Sequence, residues 1–219
     1  MWMTSGTAKQ RKCYPVGQIA ASLSPAVVNN ILGFHALTGC DSTSSLTGIG
    51  KRVSWKVFCD NPDLLHGVGR DEDGTFEMVD EFVCKLYNIP LPQKGVDWAR
   101  HHLFVKGKKS LETLPPTKDA LELHIHRANY QAKIWLRADK PDMEIGTPSC
   151  EGWIVENDIL EPVWSRLPPV PMACLELVSC GCRTKCRTAA CRCAKSGQIC
   201  IHACGCNAEE CCNPAGLGD

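Results

Sequence analysis

Residues 180–213 read CGCRTKCRTAACRCAKSGQICIHACGCNAEECCN and contain ten of the sixteen cysteines in the chain. The ten are Cys180, Cys182, Cys186, Cys191, Cys193, Cys200, Cys204, Cys206, Cys211 and Cys212. Few large apolar side chains stand between them, so this segment cannot build a hydrophobic core of ordinary size. It therefore needs cross-links, which can be disulfide bonds or metal ions.

Two features of the sequence favour metal ions over disulfide bonds. The first six residues, Met-Trp-Met-Thr-Ser-Gly, contain no apolar signal region, so we expect the chain not to be secreted into an oxidising compartment. The pattern Cys-x-Cys also occurs three times, and thiolates this close in sequence suit a soft metal better than separate disulfides. We therefore predict zinc, with a disulfide framework as the alternative.

The number of cysteines matches a cluster of about three zinc ions. Three tetrahedral ions need about twelve zinc–sulfur bonds, and nine cysteines supply them if three of the nine each bind two ions. Leaving out Cys212 gives the predicted ligands, which are Cys180, Cys182, Cys186, Cys191, Cys193, Cys200, Cys204, Cys206 and Cys211. Such a cluster carries about three negative charges, which the local excess of basic over acidic residues neutralises. The basic residues of residues 180–213 are therefore weak support for nucleic-acid binding.

The cysteine spacing resembles that of the tesmin-type CXC domain, a nuclear module that binds three zinc ions through nine cysteines. The matching features are C-x4-C-x-C from Cys186 to Cys193, then C-x6-C, C-x3-C-x-C and a closing C-x-N at Asn213. Two spacers differ, because the one after Cys182 is a residue shorter and the one after Cys206 is longer. DNA-binding members also carry a tyrosine where this chain has Ala190. The resemblance thus implies the zinc cluster and a nuclear location, but not sequence-specific DNA binding.

Composition limits the remaining possibilities. The 219 residues suffice for one full domain and one small domain, and their formal net charge is zero. The molecule as a whole therefore has no preference for polyanions, so that any DNA affinity must come from local patches. No apolar run reaches the roughly 18–20 residues of a membrane span, and we expect no membrane contact. The short run Lys9–Lys12 is interpreted as a solvated turn, with a nuclear import signal as the alternative.

Hydrophobic periodicity predicts several helices before residue 139. Ser24 and Pro25 begin a helix whose apolar face we assign to Val28, Ile31, Leu32 and His35, and Gly39 ends it. A helix after Gly50 turns Val53 and Val57 inward. Further helices start at Thr75, near Trp98 and at residue 118, the last with Thr117 as its cap and running to about residue 138. The predicted apolar stripe of the helix from Thr75 is Phe76, Val79, Val83 and Leu86, and that of the last helix is Leu121, Ile125, Ala128, Ala132 and Trp135.

The next segment, residues 139–174, has a different composition. It contains six prolines together with Trp153 and Trp164. Proline excludes regular helices here and favours extended backbone. We expect this arm to pack its tryptophans on the helical domain.

A second motif lies between the first two predicted helices, where Asp41 follows Gly39-Cys40 and a tight Gly48-Ile49-Gly50 hairpin precedes Lys51, Arg52 and Lys56. Glycines at such a turn let backbone N–H groups approach a phosphate. The element resembles the helix–two-turn–helix, or helix-hairpin-helix, element of flap endonucleases and PIN-like nucleases. That resemblance implies nucleic-acid binding by Gly48, Ile49, Gly50, Lys51, Arg52 and Lys56. The alternative is a generic capped glycine turn.

The same resemblance implies a catalytic role for Asp41, but residues 1–40 contain no Asp or Glu. A nuclease of this class holds its magnesium ions with several carboxylates, and a lone aspartate cannot do so. Asp41 is therefore a vestigial candidate, magnesium is expected only if a complete site exists, and the chain is expected to be the C-terminal part of such a nuclease. Over nearly its whole length the chain also resembles uncharacterised animal proteins derived from mobile elements.

These observations predict a mainly α protein with three parts. An incomplete PIN-like helical domain spans residues 1–138, an irregular arm spans 139–174 and a CXC zinc-cluster domain spans 175–214. The predicted function is a zinc-binding protein of the nucleus, or otherwise of the cytoplasm, that associates with DNA or chromatin proteins and has no catalytic activity of its own. The alternatives are a fragment of a metal-dependent, structure-specific nuclease and a zinc-stabilised protein-interaction module.

Overall fold

A computed structural model describes residues 1–7, 9–106, 111–141, 145–157, 159–166, 179–183, 186, 191–201, 204–206 and 211–213. In chain order its elements are β1 (Trp2–Thr7), β2 (Gln10–Pro15), α1 (Val16–Ala21), α2 (Pro25–Leu37), α3 (Lys51–Asp60), α4 (Thr75–Leu86), α5 (Gly95–Val105), α6 (Lys118–Leu136), β3 (Trp153–Glu156), β4 (Ile159–Pro162) and α7 (Arg192–Lys195). Helices dominate and the described strands form two antiparallel pairs, β1–β2 and β3–β4, so the mainly α prediction is confirmed.

Helix α2 begins as predicted, since the Ser24 side chain accepts a hydrogen bond from the Val27 N–H at 3.3 Å and Pro25 is the first helical residue. Its predicted apolar face is wrong, because Val28 is 37% exposed and Ile31 is 36% exposed. The buried face instead contains Val27, Asn30, Phe34, Ala36 and Leu37. The helix offers two neighbouring apolar stripes, and contacts with the rest of the core select between them.

Some of those contacts come from α3. The Phe34 ring stacks on Phe58 at a centroid distance of 4.6 Å and meets the edge of Trp55 at 5.5 Å. On α3 the buried residues are Ser54 and Phe58, whereas Val53 is 54% exposed. The prediction that Val53 faces inward is therefore wrong, because the stacking of Phe58 on Phe34 turns Val53 towards solvent.

Helices α4 and α6 complete the core as their sequence patterns predict. Val79, Val83 and Leu86 of α4 are buried. Thr117 caps α6 by accepting a hydrogen bond from the Ala120 N–H at 3.3 Å, and the stripe Leu121, Ile125, Ala128 and Ala132 is buried. Helix α6 ends at Leu136, two residues before the predicted end.

The described part of the arm is a short extended hairpin that lies against α6. The Arg127 guanidinium lies 5.9 Å from the centre of the Trp153 ring and donates hydrogen bonds to the carbonyls of Gly152 and Val163, each at 3.2 Å. Extended backbone and the packing of Trp153 were predicted. Trp164, in contrast, is 77% exposed, so the prediction that it packs on the helices is wrong.

A buried lysine joins this arm to the helical core. Lys133 of α6 is 9% exposed, and its Nζ lies 2.6 Å from a carboxylate oxygen of both Asp71 and Glu151. Asn129 donates to the same Asp71 carboxylate at 2.9 Å and accepts the Gly69 N–H. A buried cation is tolerated when it is paired in this way, so the two ion pairs fix the arm to the loop before α4.

Candidate metal centre

The cysteine-rich segment folds around close backbone approaches. The Gly205 N–H donates to the Cys180 carbonyl at 2.6 Å, which sets the third Cys-x-Cys pair against the first. A Cβ on Gly205 would lie 3.2 Å from the Cys182 carbonyl oxygen and from the Gly181 carbonyl carbon, a distance that leaves little room for a side chain. Helix α7 begins after Cys191 and places Cys193 in its first turn. Gly205, between the two cysteines of the third pair, therefore lets the two segments approach closely.

Seven of the nine predicted ligands form three overlapping groups of four. The groups are Cys180, Cys191, Cys193 and Cys200; Cys180, Cys182, Cys186 and Cys191; and Cys180, Cys186, Cys200 and Cys206. Within each group all sulfur atoms lie within 4.8 Å of one another. Cys180 belongs to all three groups, whereas Cys182, Cys193 and Cys206 each belong to one. The arrangement matches a cluster in which some thiolates are shared between ions.

The sulfur–sulfur distances fit zinc rather than disulfide bonds. Cys180 Sγ lies 3.7, 3.9 and 3.8 Å from the Sγ atoms of Cys186, Cys200 and Cys206, and Cys193 Sγ lies 3.6 Å from Cys204 Sγ. A zinc–sulfur bond is about 2.3 Å long, so the sulfurs of a tetrahedral site lie about 3.8 Å apart. A disulfide bond needs about 2.05 Å. Every cysteine that the structure describes is a free thiol.

The remaining two predicted ligands lie at the same cluster. Cys204 Sγ accepts hydrogen bonds from the backbone N–H groups of Cys180 and Ile201, both at 3.4 Å. Cys211 is half-buried and packs against the buried cysteines. Cys212, which the spacing left out, belongs to none of the three groups of four found among the described residues. All nine residues chosen from the spacing thus converge on one sulfur core.

Crowding of the thiols determines how they ionise. Burial opposes ionisation of Cys180, but hydrogen bonds from the Cys182 backbone and from neighbouring thiols outweigh it and lower its pKa to about 6. Burial and the nearby Cys204 thiol raise the pKa of Cys193 to about 12. A thiolate at Cys180 therefore opposes ionisation of Cys193, and added positive charge would favour it. Divalent ions supply that charge, and metal binding to this cluster should release protons.

The glycine hairpin lies on a 13-residue connection between α2 and α3, residues 38–50. The Ile49 N–H closes a turn by donating to the Leu46 carbonyl at 3.1 Å, and Gly48 has φ +77°, which glycine adopts readily. Arg52 and Lys56 are exposed on α3. The structure therefore places a turn over Leu46–Ile49 between the two helices and leaves Arg52 and Lys56 open to solvent.

Lys51 is engaged within the fold. Its Nζ donates to the His35 carbonyl at 3.1 Å and to the Thr38 hydroxyl at 2.8 Å, where α2 ends. A cation at a helix C-terminus stabilises the unpaired carbonyls there. Lys51 therefore holds α2 to α3, and this contact was not foreseen from the sequence.

Asp41 is exposed on the same connection. In the described part of the chain, the groups of three or more potential metal ligands consist only of cysteines, and Asp41 belongs to none of them. Ala190, which stands where DNA-binding CXC domains carry tyrosine, lies outside the described residues, as do Lys185 and Arg187.

No family model, curated protein or solved structure matches this chain. The resemblances to CXC domains and to PIN-like nucleases therefore depend on the quoted motifs alone. Among the described helices, none combines the length and the apolar character needed to cross a membrane.

Asn213 supports the cluster from outside the sulfur core. It is 3% exposed, and its Nδ2 donates to the Cys200 sulfur at 3.3 Å and to the Gln198 carbonyl at 2.8 Å. Donors of this kind orient a metal ligand and stabilise its thiolate. Sequence reasoning recorded the closing C-x-N pattern but assigned no role to the asparagine.

We predict that Asn213→Asp weakens zinc binding without changing the size of the side chain. The substitution replaces the donor facing Cys200 with a carboxylate oxygen, which repels the thiolate. Loss of such a partner lowers metal affinity by about 10–100-fold, measurable by competition with a chromogenic chelator. Ile199→Ala is the matched control, because Ile199 is 57% exposed beside Cys200. Equal zinc affinity in the two variants would show that Asn213 does not act on the ligand.

Proposed function

We propose that this chain is a zinc-binding protein whose residues 175–214 form a CXC-type domain holding about three zinc ions. The observation that carries the proposal is that Cys180 belongs to all three four-sulfur groups, with its Sγ 3.7–3.9 Å from the sulfurs of Cys186, Cys200 and Cys206. The nine proposed ligands are those predicted from the spacing. An array of single-metal fingers would instead place its cysteines in separate groups of four.

Zinc in such a site is structural. Sites closed by four cysteines leave no coordination position for a substrate, and their binding energy contributes directly to folding. The buried residues of the segment are mainly the cysteines themselves, namely Cys180, Cys186, Cys191, Cys193, Cys204 and Cys206. In this chain, therefore, metal–thiolate bonds replace the apolar contacts that hold other small domains together.

We further propose that the chain associates with DNA or chromatin in the nucleus. The contacts are assigned to the helical domain, residues 1–138, and to the arm, residues 139–174. Support comes from the glycine hairpin, whose turn over Leu46–Ile49 precedes the N-terminus of α3 and the exposed Arg52 and Lys56. The glycine turn, Arg52 and Lys56 are the proposed phosphate contacts. Lys51 stabilises the element through its hydrogen bonds to the end of α2. We propose no catalytic activity for the chain, because residues 1–40 contain no Asp or Glu and, among the described residues, Asp41 belongs to no group of three or more potential metal ligands.

The zinc proposal predicts about three zinc ions per chain and no disulfides among residues 180–211. Elemental analysis and thiol titration of the purified protein test this directly. Chelation is expected to unfold the cysteine-rich segment while the helices persist, because the two cores are built from different residues. One ion or none, or thiols already paired as disulfides, would contradict the cluster.

The nucleic-acid proposal predicts binding to duplex or branched DNA that weakens as salt rises, because phosphate contacts release counterions. A salt series at low ionic strength measures this binding. The double variant Arg52→Gln, Lys56→Gln should reduce the slope of log affinity against log salt by the amount expected for two lost phosphate contacts. Absence of salt-dependent binding would refute the proposal. Recovery of protein partners after nuclease treatment would favour an interaction module instead, and Mg²⁺-dependent cleavage that Asp41→Ala abolishes would favour a nuclease fragment.

A further inference from the structure

Strands β1 and β2, near the start of the chain, pair as an antiparallel ribbon. Trp2 pairs with Pro15 and Thr7 with Gln10, so β1 and β2 are in register along their whole length. Every described residue of the ribbon except Pro15 is exposed, and both faces therefore meet solvent. A two-stranded hairpin with no covered face gains little from hydrophobic burial. Its surface is thus free for a ligand.

The ribbon is strongly basic at one end. Lys9 lies in the connection, and Arg11 and Lys12 follow it on β2. Successive strand residues point to opposite faces, so Arg11 and Lys12 place a cation on each face near the tip. No Asp or Glu occurs in residues 1–40, whereas the whole chain has a net charge of zero. The ribbon therefore carries positive charge and has no acidic residue of its own.

The other side chains near the tip donate hydrogen bonds without adding negative charge. They are Thr4, Ser5, Thr7 and Gln10, all of them exposed. Hydroxyl and amide groups of this kind make many of the contacts to phosphate and sugar in protein–DNA interfaces. The large apolar residues, Trp2 and Met3, lie at the opposite end, next to α1. The distribution is that of a polar, cationic tip on an apolar base.

The shape of the ribbon distinguishes duplex nucleic acid from other acidic partners. A major groove is about 12 Å wide and admits a two-stranded β-ribbon. Within it, phosphates line both walls, and a ribbon with cations on both faces and at the tip meets charge on each side. An acidic protein surface would face only one side of the ribbon and would leave the other cation unpaired.

We propose that the β1–β2 ribbon enters the major groove of duplex DNA, with Lys9, Arg11 and Lys12 contacting phosphates. This inference rests on the proposed association with nucleic acid and adds a contact surface separate in sequence from the glycine hairpin. The ribbon would position the duplex without reading its sequence, because the three cations contact phosphates of the DNA backbone and not the bases.

The test compares the zinc-loaded full chain with the variant Lys9→Gln, Arg11→Gln, Lys12→Gln. A matched control removes three exposed cations elsewhere, through Lys106→Gln, Lys140→Gln and Arg166→Gln. Loss of three phosphate contacts is expected to reduce the slope of log affinity against log salt by about 2.7, whereas the control leaves the slope unchanged. Zinc content and helical circular dichroism verify that both variants fold.

The outcomes separate this inference from the function on which it depends. If the unaltered chain shows no salt-dependent binding, both are overturned. If it binds and the two variants have the same slope, the ribbon proposal fails while the nucleic-acid association stands. A chain that sediments as a dimer, which only the ribbon variant dissociates, would assign the ribbon to a second copy and overturn the proposal. A slope reduced only in the ribbon variant supports it.

Discussion

Replacing Cys180 with serine is expected to remove most of the bound zinc, whereas replacing Cys182 with serine is expected to remove at most about one ion of three. Cys180 belongs to all three four-sulfur groups and Cys182 to one. A serine hydroxyl at neutral pH is a poor ligand for zinc compared with a thiolate. The two substitutions make the same chemical change two residues apart, so only their positions in the cluster distinguish them.

Native mass spectrometry of the purified variants measures this difference, because it counts the ions on each chain. The remaining metal in Cys180→Ser should also be lost more readily to a chelator, since a cluster without its shared ligand no longer closes. A Cys212→Ser variant serves as an additional control and should keep all of its zinc. Equal loss from Cys180→Ser and Cys182→Ser would contradict the shared-ligand arrangement and favour separate single-ion sites.

Replacing Phe58 with alanine is expected to destabilise the helical domain by about 3–5 kcal/mol, because truncating a buried aromatic residue loses transfer energy and leaves a cavity. Phe58 is fully buried, stacks on Phe34 and lies 5.7 Å from the ring centre of Trp55. The substitution therefore removes the centre of the contact between α2 and α3.

Val53→Ala is the matched control on the same helix. Val53 is 54% exposed, so the change should cost less than about 1 kcal/mol. Urea unfolding followed by circular dichroism gives both free energies, and the zinc content of both variants should be unchanged. If Val53→Ala lowered the free energy of unfolding more than Phe58→Ala, Val53 would face the core, as the sequence pattern predicted. That result would contradict the packing of Phe58 on Phe34.

Helices α6 and α2 show where sequence patterns predict the buried face correctly and where they do not. The stripe of α6 is correct because Leu121, Ile125 and Ala128 are the apolar residues of one clear face. On α2 the apolar residues come in adjacent pairs, Val27–Val28 and Ile31–Leu32, that span two faces, and periodicity could not tell which face is buried. The partners Trp55 and Phe58 decided it, since they come from another helix.

The arm shows the same limit for polar residues. Its prolines correctly predicted extended backbone, but nothing in the local sequence indicates that Lys133, Asp71 and Glu151 meet. They are separated by at least 18 residues along the chain, and their pairing requires α6, the loop before α4 and the arm to be placed together. Trp164 was assigned to the core by its apolar character alone, and it is exposed.

For the candidate metal centre, the sequence by itself determined the nine cysteines and the need for a cross-link, because their density and the scarcity of apolar residues are local properties. Only the tertiary structure decided which thiols lie together, that Asn213 donates to the Cys200 sulfur, and that Lys51 contacts the end of α2. The physical reason is the same in each case. Ligand type and backbone conformation are fixed by residues close in sequence, whereas sulfur–sulfur distances and hydrogen-bond partners depend on chain segments that meet only after folding.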